Sequence, residues 1–140
     1  MKDYAAEAAA VQSDGIQVSA DVVKARQAVR VLSQQAGLSL VNQTKLVTAA
    51  SELGRNTLIY GGGGTYRAAV VKEGGRSGVW VEFADAGPGI PDIDLALTDG
   101  WTSGNGMGLG LSGARRLVDE FDLRSAPGAG TTVTVVKWAR

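Results

Sequence analysis

Apolar side chains recur at three- and four-residue steps between Asp21 and Ala36, where Val22, Ala25, Val29, Leu32 and Ala36 fall on one face. That period predicts an amphipathic helix, with Ser19 or Asp21 to cap its start and Gly37 to end it. A second stripe, Leu46, Ala50, Leu53 and Thr57, predicts a helix from about Asn42 to Tyr60, which GGGG (61–64) stops. GIQVSA (15–20) alternates Ile16 and Val18 and reads as a first strand. TYRAAVVK (65–72) and VWVEFAD (79–85) flank the turn-rich EGGRSG, which predicts a hairpin. Leu111, Ala114, Leu117, Val118 and Phe121 give a third helical face, and DLRSA, the turn PGAG and TTVTVVKW (131–138) predict a closing hairpin. About three helices with five or six strands, the late ones in hairpins, predict an α+β two-layer sandwich. Its helices cover one face of a mixed, mostly antiparallel sheet.

Composition narrows the chemistry. A chain of 140 residues suits one domain, and no repeat or linker divides it. The opening MKDYAAEAAAVQSD (1–14) reads as a loose or weakly helical, flexible extension, or alternatively a partner-docking arm, ahead of a domain at 15–140. Fourteen acids balance fourteen bases, so the totals imply no basic surface for nucleic acid. No run approaches the roughly 20 apolar residues of a membrane span. There is no cysteine and no histidine, which removes disulfides, zinc sites, Cys nucleophiles, His bases and phosphohistidine chemistry. Acid–base work falls to carboxylates, Lys or Tyr. The lack of cysteine fits a cytoplasmic location.

Four short patterns could carry chemistry. In SELGRN, Glu52 and Asn56 stand four residues apart on a helix and share a face that flanks the core stripe; such a pair can equally be a solvated one. In DAGPGI, Asp85 ends an apolar strand ahead of Gly87 and Gly89. A carboxylate there can accept from an exocyclic amine while glycine lets a flat ring approach the main chain; an ordinary turn uses the same residues. GNGMGLGLSG (104–113) sets glycines at alternate positions ahead of a helix. It is either an anion cradle or a slack loop. The spacing is not the dinucleotide fingerprint, and no Gly-Lys pair exists for a P-loop. In GAGTTVTV, Thr131 starts a strand and can offer a hydroxyl beside Asp85.

Taken in order, the four patterns resemble the GHKL family, the Bergerat-type ATP-binding fold of type II topoisomerases, histidine kinases and heat-shock chaperones. The resemblance covers about residues 15 to 140. Within the family, SELGRN, DAGPGIPDI, DGWTSGNGMGLGL, RRLVDEFDLRS and VKWAR look most like the anti-sigma-factor kinase group and its serine/threonine switch kinases of the stressosome. The resemblance implies ATP and Mg²⁺ as cofactors. It makes Glu52 the general base and Asn56 the Mg²⁺ ligand. Asp85 binds the adenine amine, Gly87 and Gly89 shape the pocket, and Thr131 completes it through a water. Gly106, Gly108 and Gly110 wrap the phosphates, in a segment (104–110) expected to be mobile when empty and ordered by a triphosphate. The implied activity is a serine/threonine protein kinase acting on a STAS-domain regulatory partner in a partner-switching stress pathway. Two alternatives stay open: an anti-sigma factor that also binds a sigma factor, and a nucleotide-gated, non-catalytic module that activates a phosphatase. The chain departs from the family pattern in a short lid, about Asp94 to Gly106, without Lys or Arg. Arg115 and Arg116 lie just past the glycines and Arg55 can pair with Glu52. With no histidine, the chain is not a self-sufficient histidine kinase.

Overall fold

The structure is a computed structural model in which residues 1–98 and 110–139 are described. Its elements run β1 (Gln12–Ile16), α1 (Ser19–Ala36), α2 (Leu40–Ile59), β2 (Gly64–Glu73), β3 (Arg76–Asp85), α3 (Ile93–Ala96), α4 (Gly110–Arg116), β4 (Glu120–Ser125) and β5 (Thr131–Trp138). The sheet order is β1-β2-β3-β5-β4. All four pairings among the described residues are antiparallel, in keeping with the mostly antiparallel sheet expected. The two-layer α+β sandwich is as expected. Val79, Val81 and Phe83 of β3 point to the helical layer and meet Val29, Leu46 and Leu53, while Trp80 points to the other face, the alternation a pleated strand imposes.

Two elements differ from the sequence expectation, each for a local reason. The first strand lies at 12–16 rather than 15–20, because the Asp21 carboxylate accepts from Gln17 N–H at 2.8 Å and Val18 N–H at 3.1 Å. Those two bonds open a helix at Ser19 and make residues 17 and 18 its entry turn. They also hold the Asp21 carboxyl below its ordinary range. The boundary read at residue 14 therefore falls inside β1. The third helix ends at Arg116, and Phe121 belongs to β4 opposite Val135. Asp119 N–H already donates to Val136 carbonyl at 2.9 Å, so the chain has joined the sheet before another helical turn can form. The apolar spacing 111–121 thus served a helix and a strand in turn. Gly37 closes α1 at φ 81°, as expected, and Ser39 Oγ caps α2 by accepting from Asn42 N–H at 3.1 Å.

The helices leave the second face of the sheet open, and the N-terminal residues cover part of it. A 3-10 turn at Tyr4–Glu7 brings Tyr4, 6% exposed, against Ala69, Val71, Trp80, Val136 and Trp138. The stretch expected to be a loose extension is docked there. Tyr4 and Trp138 stack edge to face with centroids 5.3 Å apart. The Tyr4 hydroxyl donates to the Glu120 carboxylate, 3.0 Å from each oxygen, and Trp138 Nε1–H donates to the same group at 2.8 Å. Burial, then the bond to Glu120, pushes the Tyr4 hydroxyl up to about 12. The neutral phenol is the form the fold favours. Its contribution is therefore full below the ordinary value of 10 and is lost as pH rises through about 12. Tyr4→Ala should release the arm, lower stability by about 1–3 kcal/mol and shift tryptophan emission to the red. An unchanged melting temperature and spectrum would show that the arm contributes nothing.

Candidate functional site

Strand pairing places the key polar groups. Asp85 is the last residue of β3 and Thr131 the first of β5, and the two are direct cross-strand partners. Directly paired residues carry their side chains on the same face, so the carboxylate and the hydroxyl meet at one end of the sheet. The last turns of α2 close over them. The result is a cavity of about 250 Å³ lined by Asn56, Asp85, Gly89, Gly110 and Thr131, all expected site residues. Leu53, Phe83, Leu111 and Val133 supply apolar walls.

The Asp85 carboxylate is held at one end and open at the other. Oδ1 accepts from Gly87 N–H at 2.9 Å, an Asx-type turn. Among the described residues no hydrogen bond reaches Oδ2. Gly61 sits directly against this carboxylate, and a methyl group there would collide with it. Gly87 therefore shapes the site through Asp85 rather than by lining it. Gly89 has φ 78° and is pressed against the Ala126 carbonyl, so neither its backbone nor its surroundings accept a side chain. Gly128 N–H donates to the Pro88 carbonyl at 2.7 Å, which locks the turn after β3 to the turn before β5.

Glu52 stands one helical turn before Asn56 but does not line the cavity. Its side chain is 12% exposed and lies 3.6 Å from Arg55 Nη1, the i,i+3 pair the spacing suggested. Gly110 begins α4 at φ 69°. Gly106 and Gly108, most of the lid and its expected mobility lie outside the described residues. Arg115 and Arg116 occupy the last turn of α4 and are both exposed.

Sequence reasoning missed several residues of the site. Gly61 was read only as a helix stop; its place directly after an apolar-striped helix was the one available hint. Thr57, Tyr60 and Ile90 line the cavity as well, and Ser125 ties its edge together with no signal in the sequence. Ser125 is the cross-strand partner of Thr131, a relation that only the fold creates.

Known proteins are similar to this chain in sequence and in fold. The family described as Histidine kinase-, DNA gyrase B-, and HSP90-like ATPase matches residues 41–139. Over 120 residues the chain is 42% identical to serine/threonine-protein kinase RsbT of Bacillus subtilis (strain 168), covering 86% of this chain and 90% of that protein. It is 28% identical over 120 residues to the anti-sigma F factor of Thermoanaerobacter sp. (strain X514), covering 81% and 82%. Among solved structures, the RsbU and RsbW domains of a Mycobacterium tuberculosis protein superpose with a TM-score of 0.61 at 21% identity, over 92% of this chain and 33% of that one. The mycobacterial sensor histidine kinase MprB superposes with a TM-score of 0.51 at 19% identity, over 94% and 99%. These two likenesses concern the fold. With a family match across most of its length and a close relative of similar size, the chain belongs to the histidine kinase-, DNA gyrase B- and HSP90-like ATPases, on the side of that family occupied by the protein kinases.

Proposed function

We propose that the chain is a Mg-ATP-dependent serine/threonine kinase that phosphorylates a STAS-domain partner in a partner-switching stress pathway. The observation that carries this reading is the Asp85 carboxylate, with one oxygen fixed by Gly87 N–H, at a largely apolar cavity that Thr131 also lines. Such a cavity suits a flat ring bearing an amine: the walls take the ring and the acceptors take the N–H groups. Similarity to a serine/threonine-protein kinase supports the transfer of phosphate to protein.

In this reading Asp85 and Thr131 hold the adenine, Gly87 and Gly89 shape its pocket, and Gly106, Gly108 and Gly110 wrap the phosphates. Among the described residues no cluster of three carboxylate, His or Cys side chains could hold a metal by itself. The Asn56 amide oxygen at the cavity fits Mg²⁺, which takes few protein oxygens and completes its shell with phosphate and water. That ion, held by Asn56, would neutralise charge on the phosphates. Transfer would bond the Ser or Thr oxygen to the γ-phosphorus as the bond to the ADP oxygen breaks. Glu52 would take the hydroxyl proton, its carboxylate oriented by Arg55. No helix among the described residues is long and apolar enough to cross a membrane, and a cytoplasmic setting is part of the proposal.

A second reading, that the chain also binds a sigma factor, draws support from its likeness to an anti-sigma F factor. Co-purification separates the partners: a STAS-domain protein in the eluate supports the first reading, and a sigma factor without one supports the second. The nucleotide site has its own test. Gly61→Ala pushes a methyl group onto the Asp85 carboxylate, so Mg-ATP affinity should fall about tenfold or more with circular dichroism unchanged. Undiminished affinity would place the nucleotide elsewhere.

A further inference from the structure

Ser125 lies outside the cavity yet touches three pieces of its edge. Its hydroxyl oxygen is 2.8 Å from Ile90 N, 3.0 Å from the Gly130 carbonyl and 2.8 Å from Thr131 Oγ1. The chemistry of two partners is fixed. Ile90 N–H can only donate and the Gly130 carbonyl can only accept. Ser125 has one proton, so satisfying both partners sends that proton to Gly130 and spends one lone pair on Ile90. The remaining lone pair can only accept, which obliges Thr131 to donate its proton to Ser125. Thr131 then turns nothing but lone pairs toward the cavity it lines.

The geometry points to Ser125 as a positioning residue that fixes Thr131 as a hydrogen-bond acceptor and so sets the site's preference for a 6-aminopurine over a 6-oxopurine. Asp85 Oδ2 is already an acceptor, so the two polar groups offered at the ends of β3 and β5 have the same polarity. An exocyclic amine supplies protons to both. A 6-oxopurine places a third acceptor there and has only its N1–H to offer the two. This inference rests on the nucleotide site proposed above and adds what selects the base.

The test compares ATP with inosine triphosphate, which carries a 6-oxo group and an N1–H in place of the amine and the N1 lone pair, and has no 2-amino group. Affinities with Mg²⁺ are measured by calorimetry for the parent chain, Ser125→Ala, Ser125→Thr and Thr131→Val. The parent should prefer ATP. Ser125→Ala frees the Thr131 proton to donate, so the ATP/ITP affinity ratio should shrink about tenfold, one hydrogen bond's worth. Ser125→Thr restores the hydroxyl and should restore the ratio. Thr131→Val should compress the ratio similarly, and adding Ser125→Ala to it should compress it no further. A purely structural role for Ser125 would lower both affinities together and leave the ratio intact, which overturns the inference. If Ser125→Ala does not fold, an unchanged ratio in Thr131→Val overturns it equally. A parent chain that binds neither nucleotide overturns the nucleotide site itself; a parent that binds both equally overturns only the selection.

Discussion

Glu52→Ala should bind Mg-ATP as tightly as the parent chain and lose phosphoryl transfer by about 10²–10⁴-fold, the usual contribution of a positioned base. The split follows from position. Glu52 is on α2 one turn from Asn56, outside the set of residues that line the cavity, so its removal takes no contact from the nucleotide. Its i,i+3 partner Arg55 is substantially exposed and tolerates the loss of a partner. Glu52→Gln keeps the shape and hydrogen bonding of the side chain and should be nearly as impaired, because the amide does not take the proton. Single-turnover transfer at saturating ATP, with affinity measured separately, checks both variants. Normal transfer by Glu52→Ala would remove Glu52 from the base role.

Asp85→Asn should do the reverse and fail at binding, with affinity for ATP reduced about 100-fold or more. The substitution is isosteric, yet no rotamer of the amide works. If the amide oxygen keeps the bond to Gly87 N–H, the NH₂ group faces the adenine amine, donor against donor. If it flips, the NH₂ group faces Gly87 N–H and the turn after β3 loses its anchor. A carboxylate accepts on both sides and avoids the conflict. Calorimetric titration with Mg-ATP reads the loss, and near-parental affinity would mean that the base is held by other groups.

Much of this site could be read from residue order, and the reasons it could not all be read are physical. Asn56, Asp85 and Thr131 came from patterns local to one helix end or one strand end, and the fold brings all three to one cavity. The direct pairing of Asp85 with Thr131 joins the two predicted hairpins, a relation that the fold supplies. Gly61 and Ser125 escaped because each acts through a contact made across the fold, Gly61 against a carboxylate and Ser125 across a strand pair. At β1, a helix-opening carboxylate at Asp21 overrode the alternation of Ile16 and Val18. At β4, Phe121 satisfied the helical period and the strand pairing alike, and the backbone bond from Asp119 to Val136 decided for the sheet. The docking of Tyr4 was invisible because alanine-rich, charge-interrupted sequence gives no sign of a tryptophan waiting at the far end of the chain.

The central claim is that this cavity positions ATP for transfer to a protein hydroxyl. The direct measurement is incubation of the parent chain with Mg²⁺, γ-labelled ATP and a STAS-domain partner, followed by identification of the labelled residue. Label on a serine or threonine of the partner, abolished by Glu52→Ala and by Asp85→Asn, is the predicted result. A chain that binds ATP through Asp85 yet leaves every such partner unlabelled would contradict the kinase reading.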